Sequence, residues 1–116
     1  MILIVDDNED LLSAIKDLVE LVSEEEILCA SEGVSALKVL KENKGIKTLI
    51  TDINMPNGMG GIELLKNVKE LYPEILRITM SGYIDNKTEL ETAGLAQHYL
   101  EKPFSIKKLK EIFNKE

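Results

Sequence analysis

Three aspartates are the first residues in this 116-residue chain that point to chemistry. Asp6 and Asp7 follow directly on the apolar run Ile2-Leu3-Ile4-Val5, and Asp52 closes a second buried-type stretch, Lys47 to Asp52. Acids that end such a segment either cap the next helix or gather round a cation, and for Asp6-Asp7 alone both readings stand. Brought together, unneutralised carboxylates about 5 Å apart repel by roughly 3 kcal/mol per pair at an effective dielectric near 20. A hard, oxygen-only donor set of this kind suits Mg²⁺, which keeps several waters and binds one or two carboxylates plus a phosphate. Two further residues end apolar stretches: Ser81 after Ile75 to Met80, and Lys102 after Gln97 to Glu101. Three carboxylates, one divalent ion and the Lys102 ammonium balance to zero charge, and the Ser81 hydroxyl can donate to a phosphoryl oxygen. That set is equipped for phosphoryl transfer by positioning and charge neutralisation, with Asp52 as the nucleophile that forms an aspartyl phosphate.

Such chemistry requires elements that carry all five residues to one edge, and the periodicity supplies them. Strands are expected at Ile2–Asp6, Glu26–Ala30, Lys47–Asp52, Ile75–Ser81 and Gln97–Glu101. Between them lie helical patterns. The first carries Leu11, Leu12, Ile15, Leu18, Val19 and Val22, capped by Asn8 or Asp7, with acids in its first turn. The second, capped by Ser31, turns Val34, Leu37 and Leu40 inward and ends near Asn43 and Gly45. The third follows the turn-rich Met55–Gly61 loop, uses Ile62, Leu65, Val68 and Leu71, and stops at Pro73. A short helix is expected over Asp85–Ala93, and Ser105 opens the last one, with Ile106, Leu109, Ile112 and Phe113. Five βα units in succession imply an α/β fold, a doubly wound five-stranded parallel sheet with five helices. Its expected order is flavodoxin-like, 2-1-3-4-5, with the ligand crevice at the carboxyl ends of strands 1 and 3, where Asp6-Asp7 and Asp52 stand.

On these residues the sequence resembles a known family. Asp6-Asp7 after an apolar strand, Asp52 followed by Met55-Pro56, Ser81, and Lys102-Pro103-Phe104 are similar to the receiver domain of two-component response regulators. The resemblance spans essentially the whole chain, so residues 1–116 are expected to form one receiver domain, either stand-alone or excised from a larger protein. It implies that Asp52 accepts a phosphoryl group from a sensor histidine kinase. It implies further that Asp7 and Asp52 ligate Mg²⁺ with the backbone carbonyl of Asn54, that Asp6 acts mainly through water, and that Ser81 and Lys102 hold the phosphoryl oxygens. Tyr99 matches the family's aromatic switch, which with Ser81 would alter the surface of helix 85–93, strand 97–101 and the final helix. That surface would control an unidentified output protein or a phosphorylation-dependent dimer. The Lys102-Pro103 peptide is implied to be cis. One departure stands out: family members commonly read Met-Pro-x-Met-Asp-Gly after the acceptor, whereas this chain has Met55-Pro56-Asn57-Gly58-Met59-Gly60-Gly61. The extra residue and the missing acid bear on the loop's shape, not on the chemistry.

Composition narrows the alternatives. A net charge of −7 without a basic stripe argues against nucleic acid and anionic membranes as partners. One cysteine, Cys29, excludes an intrachain disulfide framework and is expected to pack as a small apolar residue. The longest apolar run is far below a membrane span, and Asp6-Asp7 interrupt any signal-type segment, so a cytoplasmic location is expected. His98 reads as a surface residue on an edge strand, Glu24-Glu25-Glu26 as solvated, and Met55, Met59 and Met80 as packing. A flavin module would need a phosphate loop after strand 1, where Asp6-Asp7-Asn8-Glu9-Asp10 instead repels phosphate. A separate-substrate phosphatase would need a cap domain for which the chain has no room. The expected role is a phosphoacceptor switch that assists its own phosphorylation and dephosphorylation, not an enzyme acting on other molecules.

Overall fold

A computed structural model describes residues 1–55, 59–82, 94–102 and 105–114, the side chain of Asn114 excepted. Five strands, β1 (Ile2–Val5), β2 (Ile27–Ala30), β3 (Thr48–Asp52), β4 (Leu76–Ser81) and β5 (His98–Glu101), form one sheet. Its order is β2-β1-β3-β4-β5 and every pairing is parallel, as the alternation of patterns predicts. Four helices are described: α1 (Glu9–Val22), α2 (Gly33–Glu42), α3 (Gly61–Leu71) and α4 (Ile106–Asn114). The helix expected over 85–93 and the Lys102-Pro103 peptide lie outside the described residues.

The unbroken apolar run of β1 has a direct cause. Alternate side chains of a strand point to opposite faces, and here both faces are covered. Leu3 and Val5 join Leu49 against Ala36 and Leu40 of α2 and Leu64, Leu65 and Val68 of α3. Ile2 and Ile4 join Ile50, Ile78, Met80 and Leu100 against Ile15 and Val19 of α1 and Leu109 and Ile112 of α4. Full burial of each such side chain contributes about 1.5–3 kcal/mol. The sheet is thus held rigid from both sides, and its strand ends are well-fixed positions for functional groups.

Several helical details differ from the sequence expectation. Asn8 does cap α1, its side chain accepting from the Leu11 N–H at 3.1 Å. On α2 the cap is Glu32, not Ser31, with the Glu32 carboxylate accepting from the Ser35 N–H. With Gly33, Ala36 and Leu40 facing inward, Val34 lies about 100° round the helix from Gly33 and is 58% exposed, not inward. Leu71 is likewise 60% exposed at the end of α3, where Tyr72 packs on the core instead. Cys29 is exposed, since β2 is an outer strand of the sheet. Met55 and Met80 are buried and Met59 packs on the core, as expected.

Candidate functional site

The site forms where the carboxyl ends of β1, β3, β4 and β5 meet one edge. The parallel register aligns Val5 with Thr51, so Asp6 and Asp52, each next in its chain, emerge side by side. Asp6, Asp7 and Asp52 each present a carboxylate oxygen, and the three lie within 4.8 Å of one another. Asp6 is fully buried and Asp52 nearly so, whereas Asp7 is the solvent-facing member. The repulsion foreseen from the sequence is therefore real in the folded chain.

Lys102 offsets it. Its Nζ lies 3.0 Å from Asp6 Oδ2 and 3.3 Å from Asp52 Oδ2. Its one positive charge, enough to neutralise one carboxylate, is shared between two. Its backbone is fixed by a bond from the Lys102 N–H to the Ser81 carbonyl at 2.7 Å, which ties the end of β5 to that of β4. The remaining carboxylate oxygens accept from the backbone: the Asn8 N–H donates to Asp6 Oδ1 at 2.9 Å and the Asn54 N–H to Asp52 Oδ1 at 3.1 Å. Burial pushes the Asp52 carboxyl above its ordinary value of 3.8. The Asn54 N–H and the Lys102 charge oppose that shift, and the Asp6 charge adds to it. Lys102 is held above its usual value: burial alone would lower it, but the hydrogen bond to Asp6 and the charges of Asp52 and Asp6 prevail.

Ser81 is fully buried at the last position of β4, and Tyr99 is half-buried on β5 opposite Thr79. Both therefore stand on the strands that border the carboxylates. Asn54 is exposed just beyond Asp52. All the strand-end residues singled out from the sequence are thus on one sheet edge.

One positioning residue escaped the sequence reading. Gly61 opens α3 against the end of β3, and a Cβ there would lie 2.0 Å from the Asp52 carbonyl oxygen and 2.7 Å from Ile53 Cα. Only glycine permits this approach, which the Gly61 N–H uses to donate to the Ile53 carbonyl at 3.3 Å. The pair Gly60-Gly61 before a helical pattern was the available signal, but nothing in it says which strand the helix must approach.

This arrangement can hold a hard divalent cation among carboxylates and present Asp52 as a nucleophile beside a fixed ammonium. Comparison with known proteins points the same way. The chemotaxis protein CheY homolog of Campylobacter jejuni is 37% identical over 115 residues, covering 95% of this chain and 86% of that protein. The chemotaxis protein CheY1 of Helicobacter pylori is 38% identical over 116 residues, covering 95% and 90%. The crystal structure of a response regulator receiver domain protein from Clostridium thermocellum superimposes with a TM-score of 0.86 at 32% identity, covering 98% of this chain and 90% of that one. The family described as the response regulator receiver domain matches residues 2–114. The chain therefore belongs to the response regulator receiver domain family, the phosphoacceptor switches of two-component signalling.

Proposed function

We propose that Asp52 is the phosphoacceptor and that the donor is a phosphohistidine of a sensor histidine kinase in the cytoplasm. The observation that carries this is the convergence of Asp6, Asp7 and Asp52 within 4.8 Å, with Lys102 bridging two of them. An Asp52 carboxylate oxygen attacks the phosphorus, the new O–P bond forms as the P–N bond to the donor imidazole breaks, and the imidazole leaves with the bonding pair. Lys102 meets the charge on the transferring oxygens as a donor already in place, and the Ser81 hydroxyl donates to them as it is drawn in. Asp7, Asp52 and the Asn54 carbonyl are the residues to hold Mg²⁺, with Asp6 acting through water. When bound, Mg²⁺ supplies the two positive charges that let an anionic nucleophile approach an anionic phosphoryl group. The same groups let the protein assist gain and loss of its own phosphate, and residues 1–116 act as one receiver domain.

Phosphorylation replaces a charge of −1 on Asp52 with one near −2. Ser81 is then drawn towards the new oxygens, and the Tyr99 ring follows into the space released. The affected surface runs over 85–93, β5 and α4, and it controls an output protein or a second copy of the chain. Coupling on the order of 1–3 kcal/mol is expected.

The test is phosphate incorporation from acetyl phosphate or a kinase in the presence of Mg²⁺. Asp52→Asn should abolish acid-labile, hydroxylamine-sensitive labelling while leaving the fold intact, and Asp6→Ala combined with Asp7→Ala should abolish the labelling that Mg²⁺ supports. Undiminished labelling of Asp52→Asn would refute the assignment.

A further inference from the structure

β4 carries a buried guanidinium that the phosphoryl chemistry does not use. Arg77 is only 5% exposed, and its position is peculiar. On β4 the alternate residues Ile78 and Met80 face the apolar layer with Leu100, whereas Arg77, Thr79 and Ser81 share the opposite face. Tyr99 is registered against Thr79 and so lies on that face as well.

Among the described residues the Arg77 side chain has no carboxylate partner. It spends its donors on backbone carbonyls. Nε donates to the Leu95 carbonyl at 2.6 Å, and Nη1 donates to the carbonyls of Pro73 and Ile75 at 3.2 and 3.1 Å. The Arg77 N–H donates to Gln97 Oε1 at 2.8 Å, and the Gln97 N–H returns a bond to the Arg77 carbonyl at 2.9 Å. One residue thereby ties the turn between α3 and β4 to the segment that leads into β5. Burial lowers the guanidinium's proton affinity, yet arginine stays charged, so the ion is kept for its fork of fixed donors.

The placement matters because, among the described residues, β5 is an outer strand paired only with β4. Its far end is fixed by the Lys102 N–H bond to Ser81, and its near end by the Arg77 guanidinium through Leu95 and by the Arg77 main chain through Gln97. Tyr99 sits between these two anchors.

We infer that Arg77 is a positioning residue that sets the start of β5 and, through it, the place of Tyr99 in the switch. This rests on the reading of Tyr99 given under Proposed function. The Arg77 clamp acts on the response to phosphorylation and not on phosphoryl uptake, because the Lys102 backbone is held independently by Ser81. A lysine cannot replace it: a single Nζ carries the charge but cannot reach carbonyls on both sides of the clamp at once.

The test uses NMR of Arg77→Met, Arg77→Lys and the milder Gln97→Ala, without and with beryllofluoride plus Mg²⁺. The expected result is phosphate uptake from acetyl phosphate within twofold of the parent. The Tyr99 amide and ring signals are displaced before beryllofluoride is added, and their beryllofluoride-induced displacement is at least halved in both Arg77 variants. Gln97→Ala, which removes only the bond to the Arg77 main chain, should move them in the same direction by less, and Arg77→Lys, which keeps the charge, decides the matter by the same criteria if Arg77→Met does not fold. Tyr99 signals that coincide with the parent's in every variant would overturn the proposal, as would full restoration by Arg77→Lys. If the parent's own Tyr99 ignores beryllofluoride, the switch reading fails. The displacement before its addition then still judges the clamp.

Discussion

Removing the charge of Asp52 should make the protein more stable when no divalent ion is present. In the ionised form, Asp6 and Asp7 lie within 4.8 Å of Asp52 and Lys102 lies at 3.3 Å. At an effective dielectric near 20, each carboxylate raises the energy of ionised Asp52 by roughly 3 kcal/mol, and Lys102 lowers it by about 5. Solvent weakens the share of the exposed Asp7, so the pairwise contributions nearly cancel. Desolvation of the carboxylate then decides the sign, in keeping with the raised pKa of Asp52. Asp52→Asn keeps an Oδ1 to accept from the Asn54 N–H and leaves Lys102 its partner Asp6. The expected gain at pH 7 in EDTA is about 1–2 kcal/mol, or a rise in Tm of about 3–8 °C for a domain of this size. The sign with pH follows from linkage. The folded chain holds the Asp52 proton to higher pH than the unfolded chain, so ionisation destabilises the fold as pH rises from 3.8 through the folded value. The variant's advantage is therefore full at pH 7 and disappears below 3.8. Thermal melts by circular dichroism at pH 7 and pH 3.5 provide the measurement. A variant that melts at or below the parent at pH 7 refutes the electrostatic account, and an equal advantage at both pH values shows that packing, not charge, is responsible.

Lys102→Met should do the opposite, leaving Asp6 and Asp52 without their shared cation and lowering stability by about 2–4 kcal/mol in EDTA; chemical denaturation will show this, and the loss should shrink when Asp52→Asn is added. Gly61→Ala places a methyl against the Asp52 carbonyl, so α3 must withdraw; a loss of about 2 kcal/mol or more is expected, together with slower phosphate uptake from acetyl phosphate. Asn8→Ala removes the α1 cap and should cost about 1 kcal/mol, read from the urea midpoint at unchanged slope.

The fold was legible because the central strands report their burial on both faces. Ile2 to Val5 is apolar at every position, which only a central strand with helices on either side requires, and order 2-1-3-4-5 is a common arrangement of five such right-handed units. Helix phase was less legible. Val34 and Leu71 are hydrophobic at nearly helical spacing, yet each lies just off the buried stripe, and hydrophobicity alone does not mark the stripe's rim. The true stripe of α2 begins at Gly33, a residue with no hydrophobic signal at all; its lack of a side chain lets Met59 pack against the first turn. The exchange of Ser31 for Glu32 as cap has the same origin, because both residues can accept from a first-turn N–H and only the start of the helix chooses between them.

The site was legible for a different reason. Its members are the polar residues at strand ends, and the ends of parallel strands share an edge once the topology is known. Asp6, Asp52, Ser81 and Lys102 therefore needed no geometry to be grouped. What the sequence could not express is contact across the backbone. That Lys102 bridges two carboxylates depends on the register of β1 with β3, which aligns Val5 with Thr51. That Gly61 must be glycine depends on how closely α3 approaches β3. Arg77 is the extreme case. A charged residue inside a buried strand reads as an edge or an interruption, and its partners are carbonyl oxygens of Pro73, Ile75 and Leu95, groups every residue carries. Chemistry done by side chains was visible in the order of residue types, whereas positioning done through the main chain became visible only in the folded molecule.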